Sequence, residues 1–444
     1  YHFSAQRTPR RSHRRGGNRA NRRGRRIMIV TRLKITNLRA MEAAEFRFQT
    51  GFNLIVGING VGKTSVLDAL AVCLSAVVKQ ANKLRTRVEA FTPDDIRVGA
   101  EALTVECGCR CGDKDHTYLV HKPRETSAPQ EKKAGMPREQ VHDTPERNEF
   151  LGDAPAPVSE REPGGLPLAV LFSTNRAVPS ERAPGKGAAA GGVAAAFADA
   201  FAHRELRLGE FADWMRVQES LRKEHPAAAR VLAAFENTVA RFLPDYNNLR
   251  LDGYDGRQLW INRGKRAMPV RQLSDGERGI LALVLDLTRR LAQANPHLDD
   301  PAAEAEAVVL IDEIDLHLHP MWQRHIVHNL CEAFPRCQFI ATTHSPQVIG
   351  EVEHERIQII AGGLVYSPSH SYGVDSSRVL EEVMDSEART KTVKELLSQI
   401  SQAIGKQGYQ DARELLARLV ERLGETDPEV TRLNTLLDFV EGKQ

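Results

Sequence analysis

The chain lacks the features that would place it in a membrane. Its 444 residues contain no apolar run near the roughly 18 residues that indicate a membrane-spanning helix. The longest apolar stretch, around Leu67–Val78, is interrupted by Asp68. We therefore expect a buried helix there and no association with a membrane.

Cysteine is also scarce, with six residues in the whole chain, which is typical of a reducing compartment such as the cytoplasm. Three of them, Cys107, Cys109 and Cys111, alternate with other residues and would share one face of a strand. They form either a metal or redox site or a row of small side chains packed beneath a sheet. Because the C-x-C-x-C spacing is not typical of zinc sites, we favour packing.

Acidic residues are absent from residues 1–27, which contain ten arginines. Setting these ten charges aside turns the net charge of +3 into −7 for the remaining chain, so the body is mildly acidic. We expect residues 1–27 to be disordered, as either an upstream translation product that precedes Met28 or a tail that binds nucleic acid. The segment has no apolar core and is not a secretory signal.

Residues 57–64 have the pattern G-x-x-x-x-G-K-T of a phosphate-binding loop. Phe52–Val56 before it predicts a strand, and Ser65–Val72 after it predicts a helix. The glycines let backbone N–H groups surround phosphate oxygens, and the helix N-terminus adds positive potential. We expect Lys63 to reach the β- and γ-phosphates of ATP and Thr64 to bind Mg²⁺. The predicted nucleotide-binding residues here are Gly57, Ile58, Asn59, Gly60, Val61, Gly62, Lys63, Thr64 and Ser65.

A second stretch, Ala307–Glu313, predicts a buried parallel strand that ends in two acidic residues. Two carboxylates at such a position are costly unless a cation or a hydrogen-bond donor meets them. We therefore predict that Asp312 holds Mg²⁺, directly or through water. Glu313 would polarise the water that attacks the γ-phosphate. With the phosphate-binding loop, this stretch predicts a P-loop ATPase.

Leu273–Arg278, which reads L-S-D-G-E-R, lies between these two motifs at the start of a predicted helix. By itself it is a capping pattern whose serine and glycine could offer donors to an anion. In this position it resembles the signature motif L-S-G-G-Q/E of the ABC and SMC ATPases. That resemblance implies that Ser274 and Gly276 act on the nucleotide of a second subunit, in a head-to-head dimer. Asp275 departs from the usual glycine and adds a negative charge there.

His344 follows another predicted buried strand, Gln338–His344. It matches the switch histidine of the same superfamily, which implies a contact with the γ-phosphate. Asp315 matches the D-loop that crosses to the partner subunit. His317 and His319 could suggest a metal site, but we favour a D-loop that leads into a helix with Pro320 at its first position.

The glutamine loop that normally links the two lobes of such ATPases is not obvious in this sequence. Asn175 and Arg176 follow the predicted strand Leu168–Phe172 at about the expected place. Either residue is a candidate for that role.

The superfamily includes several classes that this chain does not fit. About 210 residues separate Lys63 from Ser274 without sustained heptads, which excludes long coiled-coil SMC proteins and their break-repair relatives. The strand pair before the phosphate-binding loop argues against ABC transporter subunits. About 100 residues follow His344 without an acid cluster, so we do not expect a nuclease of the OLD type.

From Met28 onward the chain resembles the compact ATPases of prokaryotic anti-phage systems, in particular the PtuA subunit of Septu and its retron-associated relatives. The resemblance rests on Ile58–Ser65, Asp94–Arg97, Asn175–Val178, Phe211–Trp214, Gln272–Arg278 and Tyr372–Asp375. It implies a multimeric ATPase that restrains a separate HNH-type nuclease and releases it during infection. Nucleic acid would then be contacted only indirectly.

We therefore predict an α/β protein with an ABC/SMC-like ATPase head, in which helices flank a mixed central sheet. A helical insertion and a C-terminal helical tail, a possible docking surface for a partner, complete it. The predicted segments are a disordered extension (1–27), an N-terminal lobe (28–121 and 166–182), a flexible insertion (122–165), a helical insertion (183–248), a C-terminal lobe (249–366) and the tail (367–444).

Three functions are compatible with these motifs. The first is an ATP-hydrolysing regulatory subunit of a defence complex. The second is a RecF-like repair ATPase that closes on DNA when ATP is bound, which the arginine-rich residues 1–27 would favour and the acidic body disfavours. The third is a nucleotide-gated clamp that hydrolyses ATP very slowly.

Overall fold

The apolar strands that precede the glycine loop and the paired acids belong to one sheet, with a single strand between them. The computed structural model describes residues 28–83, 88–124, 145–158, 166–177, 192–206, 208–253, 258–373 and 390–442. The predicted extension 1–27 lies outside these residues. The strands are β1 (Met28–Leu38), β2 (Met41–Arg47), β3 (Phe52–Gly57), β4 (Ala102–Cys111), β5 (Lys114–Pro123), β6 (Arg147–Leu151), β7 (Leu168–Phe172), β8 (Tyr246–Asp252), β9 (Gln258–Arg263), β10 (Arg266–Pro269), β11 (Ala307–Ile311), β12 (Gln338–Thr343), β13 (Ile357–Ala361) and β14 (Leu364–Tyr366).

The central sheet has six strands in the order β14-β13-β3-β12-β11-β7. Five of them are parallel, and β14 joins β13 antiparallel at the edge. Strands β3, β7, β11 and β12 are buried along their whole length, as expected for parallel strands covered on both faces. The predicted α/β class and mixed central sheet are confirmed.

A second, antiparallel sheet has the order β2-β1-β4-β5-β6. Its hairpin of β1 and β2 confirms the strand pair predicted before the phosphate-binding loop. The prediction of a flexible insertion over 122–165 is wrong in part, because β5 continues to Pro123 and β6 pairs with it inside that range. The short strand Arg147–Leu151 is largely exposed and has little apolar periodicity, which is why the sequence pattern did not reveal it.

Two of the alternating cysteines face the inside of this sheet. Cys107 and Cys109 are buried and their Sγ atoms lie 3.7 Å apart, whereas Cys111 is only half-buried. The hydrogen bond between Cys109 and Cys107, together with burial, raises the pKa of Cys109 well above its usual value. The geometry agrees with the favoured interpretation of small side chains packed beneath a sheet.

Helix α1 begins at Lys63, two residues before the predicted start. It contacts strands of both sheets and forms much of the core between them. Among the described residues it is the one helix with the length and apolar composition of a membrane span, and 78% of that apolar window is buried in the fold. In the described residues up to Gly373, the α-helices are α1 (Lys63–Asn82), α2 (Gly192–Phe197), α3 (Leu208–Leu221), α4 (Pro226–Phe242), α5 (Asp275–Ala294), α6 (Pro301–Glu304), α7 (Pro320–Ala333) and α8 (Pro346–Ile349).

Helices α3 and α4 form the predicted helical pair, joined through Phe211, Trp214 and Phe235. The predicted helical range 183–248 ends too late, because β8 begins at Tyr246 and starts an antiparallel three-stranded sheet with β9 and β10. Helix α5, which carries the signature motif in its first turn, contacts α2, α3 and α4.

The chain divides at Gly373 into two units. In the described part of the second unit, three helices, α9 (Lys391–Gly405), α10 (Tyr409–Leu423) and α11 (Pro428–Val440), share one apolar core. The predicted start of α11 is confirmed, with Asp427 accepting hydrogen bonds from the first turn and Pro428 at its first position. The predicted helical tail starts too early, since residues 367–373 are not helical.

The leucines that suggested a docking face are engaged inside this unit. Leu396, Ile400, Leu416 and Leu419 belong to its buried core. Leu397, Leu415 and Leu423 are packed against that core and partly buried. Ordinary helical packing therefore accounts for the amphipathic pattern, and docking of a partner on this unit stays a prediction.

A buried ion cluster in α5 gives a stability prediction. Burial alone would raise the pKa of Asp286, but Arg290, Arg289 and Arg204 hold it well below its usual range. Arg290 is almost fully buried and bonds Asp286 at 2.7 Å. We expect Asp286→Ala to lower the free energy of unfolding by about 3–5 kcal/mol, because it leaves the buried Arg290 guanidinium without its carboxylate partner. Urea unfolding measures this loss.

The exposed pair of Arg230 and Asp299 provides the control. Asp299→Ala removes the same side chain from an ion pair on the surface, where such a pair contributes about 0–1 kcal/mol. Equal losses in the two variants would contradict the importance of the buried cluster.

Candidate functional site

Four parallel strands end at the same edge of the central sheet, and the predicted site residues follow these ends. The phosphate-binding loop follows β3, Asp312 follows β11, His344 follows β12, and the segment from Ser173 follows β7. Carboxyl ends of strands in open α/β sheets form the usual ligand crevice. The strand order thus brings together side chains that are 281 positions apart in sequence.

The amino group of Lys63 is held inside the phosphate-binding loop. Its Nζ donates to the carbonyl oxygens of Gly57 at 2.8 Å and Ile58 at 3.0 Å, and it lies 3.5 Å from Nδ1 of His344. Burial lowers the pKa of Lys63, and the nearby negative charge of Glu313 and Asp312 opposes that effect. The loop is therefore curled around a cation that an anionic ligand could bind.

Two glycines of the loop have physical reasons to lack a side chain. Gly62 precedes α1 with φ of 102°, in the left-handed region that costs other residues energy. A Cβ on Gly57 would lie 2.8 Å from the carbonyl oxygen of Ile360 in the neighbouring strand. The left-handed conformation at Gly62 and the close approach of Gly57 to the neighbouring strand thus both depend on glycine.

The Asp312 carboxylate is buried and bonded by two threonine hydroxyls. Thr64 Oγ1 donates to its Oδ2 at 2.9 Å, and Thr342 Oγ1 donates to its Oδ1 at 2.6 Å. A hydroxyl and a carboxylate oxygen side by side are the ligand types that Mg²⁺ takes, with phosphate oxygens and water completing its shell. The residues present therefore fit the predicted ion. Within the described residues no group of three or more His, Cys, Asp or Glu side chains could hold a metal by itself.

Glu313 and His344 face each other beside this carboxylate. Oε1 of Glu313 lies 3.7 Å from Nε2 of His344, and both side chains are partly exposed. Solvent can therefore reach the Glu313 carboxylate, which lies beside His344 and near the buried Lys63. The structure thus brings Lys63, Thr64, Asp312, Glu313 and His344 together as the sequence predicts, although their individual roles stay predictions.

The two candidates for the glutamine loop point in different directions. Asn175 is exposed and donates to the carbonyl oxygen of His203 at 3.1 Å. Arg176 is buried and donates to the carbonyl oxygens of Asp312 and Glu313. Asn175 thus connects the segment after β7 to the backbone of His203, and Arg176 connects it to the turn after β11. A contact with nucleotide stays a prediction for both residues.

A charged cluster beside the phosphate-binding helix escaped the sequence analysis. Arg39, in the β1–β2 hairpin, donates to Asp68 at 2.6 Å, to Asp95 at 2.9 Å and to Ser65 at 3.3 Å. His203 Nε2 lies 3.0 Å from Asp68 Oδ1, and its hydrogen bond to Asp68 raises the pKa of His203. The cluster ties three distant segments to the first turns of α1.

The signature serine is engaged within its own helix start. Ser274 Oγ donates to Oε2 of Glu277 at 2.7 Å, and the backbone N–H of Glu277 donates back to Ser274 at 3.3 Å, forming a capping box. Tyr246 OH donates to the other carboxylate oxygen at 2.7 Å. Burial and this bond to Glu277 raise the pKa of Tyr246 to about 12. Sequence spacing predicts the capping box, but nothing in the sequence indicates Tyr246.

Ser274 and Gly276 line a cavity of about 850 Å³, apart from the phosphate-binding loop. Its other walls include His317, His319 and Trp322. His319 caps α7 by accepting from the backbone of Met321, with Pro320 at the first position, so the predicted helix start is confirmed.

The D-loop is tied to both motifs within one chain. Asp315 Oδ1 accepts a 2.5 Å hydrogen bond from Thr343, the residue before His344. Two residues later, the carbonyl oxygen of His317 would lie 2.5 Å from a Cβ on Gly276. The signature glycine therefore packs against D-loop backbone, and the D-loop in turn is bonded to the strand that carries His344.

Two protein-family models and several known proteins match this chain. A protein-family model described as "AAA domain, putative AbiEii toxin, Type IV TA system" matches residues 203–350. A second model, described as an AAA domain, matches residues 32–151. Two separate parts of the chain thus match AAA domain models.

The retron Ec83 probable ATPase of Escherichia coli is 35% identical over 222 residues, which are 49% of this chain and 41% of that protein. This chain thus spans about two fifths of that relative's length. Septu protein PtuA of Bacillus thuringiensis is 22% identical over 432 residues, 90% of this chain and 96% of that protein. The predicted resemblance to Septu and retron ATPases is confirmed.

Among solved structures, the SMC head domain from Thermotoga maritima aligns with 76% of this chain and 97% of its own length, at 14% identity and a TM-score of 0.41. At this level the likeness adds nothing to what the strand order itself establishes about the fold.

The close approach at Gly276 gives a prediction with an internal control. Gly276→Ala would place a methyl group against the His317 carbonyl, and such overpacking costs about 1–3 kcal/mol. Gly279, three residues later in the same helix, has open space where its Cβ would be, so Gly279→Ala should be neutral or stabilise by up to about 1 kcal/mol. Urea unfolding compares the two, and an equal effect would contradict the contact between signature and D-loop.

The pair of His203 and Asp68 predicts a dependence of stability on pH. The hydrogen bond to Asp68 raises the folded-state pKa of His203 above its usual value near 6.5. Burial by itself would raise the pKa of Asp68, but the bonds to His203 and Arg39 outweigh burial and lower that pKa. Protonated His203 therefore stabilises the fold below about pH 6.5, and this contribution disappears as the pH rises through its raised pKa. We expect the Tm difference between wild type and His203→Gln to shrink between about pH 6 and pH 8.5. A difference that grows with pH would contradict the assignment.

Proposed function

We propose that this chain is an ATP-binding and ATP-hydrolysing regulatory subunit of an anti-phage defence complex. The observation that supports it most is the convergence of Lys63, Thr64, Asp312, Glu313 and His344 at one edge of the central sheet. Lys63 and the loop amides would hold the phosphates, and Thr64 with Asp312 would hold Mg²⁺. That ion would neutralise charge on the phosphates when bound.

In this proposal Glu313 acts as the general base. Its carboxylate is partly exposed, so water can reach it, and His344 at 3.7 Å can bear a proton or contact the γ-phosphate. Hydrolysis would thus proceed by positioning and electrostatic stabilisation, without a covalent intermediate on the protein.

We infer further that ATP joins two copies of the chain head to head. The cavity around Ser274 and Gly276 lies apart from the chain's own phosphate-binding loop. The N-terminus of α5 opens there, and such an end favours an anion. A nucleotide held by a second subunit is the ligand that the signature resemblance implies, and Asp315 would lie at the same interface.

The regulated partner would be a separate nuclease of the HNH type. Support for this step comes from the similarity to Septu protein PtuA along nearly the whole chain, together with the expectations that the resemblance carries. ATP-dependent assembly would set whether the nuclease is restrained or released, in the cytoplasm, and nucleic acid would be contacted by the partner.

A RecF-like ATPase that closes on DNA is the alternative. The arginine-rich residues 1–27 favour it, and the mildly acidic remainder of the chain disfavours it. DNA that stimulates ATP hydrolysis by the isolated chain would support this alternative, as would ATP-dependent binding of duplex DNA.

Substitutions at the two ends of the site test ATP binding and dimer formation. Lys63→Ala should abolish binding of a fluorescent ATP analogue, because it removes the cation inside the loop. Glu313→Gln should bind ATP but hydrolyse it at least about 100-fold more slowly, because the base is lost. Light scattering with ATP should then detect a trapped dimer. Hydrolysis by Glu313→Gln at the wild-type rate would contradict the general base, and a persistent monomer would contradict the shared site.

The defence function is tested with the full set of operon neighbours. Plasmid and tRNA cleavage are measured for the chain alone and for the co-purified complex over a range of ATP concentrations. We expect cleavage only in the complex, altered by ATP and by Lys63→Ala. Absence of cleavage in both preparations, with ATP hydrolysis stimulated by DNA, would favour the repair-type alternative.

A further inference from the structure

Arg176 makes an unusual set of contacts for a buried arginine. Its side chain is only 6% exposed, and its guanidinium donates to main-chain carbonyl groups. Nη1 donates to Asp312 at 2.5 Å and to Ser173 at 3.0 Å, and Nη2 donates to Glu313 at 2.6 Å. One planar group therefore joins the end of β7 to the turn that follows β11.

The Glu313 backbone that receives this bond is in a disfavoured conformation. Its φ is 47°, in the left-handed region that residues with a Cβ rarely adopt. Its N–H donates to Thr342 Oγ1 at 2.7 Å, and its carbonyl accepts from Leu316 N at 2.9 Å as well as from Arg176. Such conformations persist where the surroundings over-determine them, and they cluster at functional sites.

The direction of the guanidinium separates this role from a glutamine-loop contact. A residue that senses the γ-phosphate must present its polar end to the nucleotide, whereas the hydrogen bonds of Arg176 run to backbone oxygens at the end of β7 and in the acidic turn. Burial lowers the pKa of Arg176 to about 10, with the charges of Asp312, Asp315 and Glu313 opposing it. The group therefore stays protonated at neutral pH and keeps the donors that it directs to these carbonyl oxygens.

The same side chain lies next to the signature helix. Arg176 lines a small cavity together with Gly279 and Ile280 of α5 and with Ile314 and Leu316 of the D-loop. A displacement of α5 or of the D-loop would therefore reach the group that orients Glu313.

We propose that Arg176 is a positioning residue for ATP hydrolysis: it fixes the Glu313 backbone so that the carboxylate faces the reacting water. The inference rests on the proposed function, because it needs Glu313 as the general base. It assigns to Arg176 an effect on turnover and not on nucleotide binding. A misplacement of the base by about 1 Å is enough to slow such a step by about 100-fold.

The test separates turnover from binding. Arg176→Ala and Arg176→Lys are compared with wild type for kcat, KM, affinity for a fluorescent ATP analogue, and Tm. We expect Arg176→Ala to lower kcat by about 10- to 100-fold while nucleotide affinity changes by less than about threefold. Arg176→Lys keeps the charge but cannot donate to both carbonyls in the same geometry, so its kcat should lie between that of wild type and that of Arg176→Ala. This variant carries the test if Arg176→Ala does not fold.

A double substitution with Glu313→Gln identifies the route of the effect. If Arg176 acts through Glu313, adding Arg176→Ala to Glu313→Gln should lower the residual rate by less than about threefold. A full additional loss would overturn the inference, as would an unchanged kcat in Arg176→Ala. A loss of nucleotide binding comparable to that of Lys63→Ala would also overturn it, in favour of a direct contact with nucleotide.

The same measurements distinguish this inference from the proposed function. If Lys63→Ala and Glu313→Gln both hydrolyse ATP at the wild-type rate, the proposed function and this inference are contradicted together. If both substitutions strongly lower the rate of hydrolysis but Arg176→Ala does not change it, only the role of Arg176 is contradicted.

Discussion

The candidate site depends on how a single buried residue, Asp312, is bonded on every side. Its carboxylate accepts from Thr64 and Thr342, its N–H donates to Phe172 at 2.9 Å, and its carbonyl accepts from Arg176. These partners come from the phosphate-binding helix, from β12 and from the end of β7. A buried carboxylate without such donors would be costly, so the parallel strand order that supplies them also determines where an ion could bind.

From this point the contacts extend along the chain to the signature motif. The Asp312–Glu313 turn continues into the D-loop, whose Asp315 is bonded by Thr343 and whose His317 carbonyl packs against Gly276. Packed interiors respond to displacement as units because they are dense. A shift of the signature helix therefore has a continuous path of contacts back to Glu313.

The motifs with fixed spacing were predictable because their chemistry is local. The loop at residues 57–64 needs glycines and a lysine at set positions, and the buried strand before Asp312 needs uninterrupted apolar residues. Strand β6, in contrast, is exposed and short, and its pairing with β5 is a long-range choice. The leucines of the tail fit both docking and packing, since an amphipathic helix has the same pattern for either, and only the bundle shows that they form its core.

The sequence by itself determined the motifs of a nucleotide-binding site, because the loop from Gly57 to Thr64, the acids Asp312 and Glu313, and His344 are each predicted from residue type and local spacing. It did not determine what holds those residues in place. Arg176, Thr342 and Tyr246 make their contacts across 29 to 136 positions of the chain, and no local pattern encodes such distances. Only the strand order, the left-handed backbone at Glu313 and the close approach of His317 to Gly276 decided them, because each depends on segments that meet after the chain has folded.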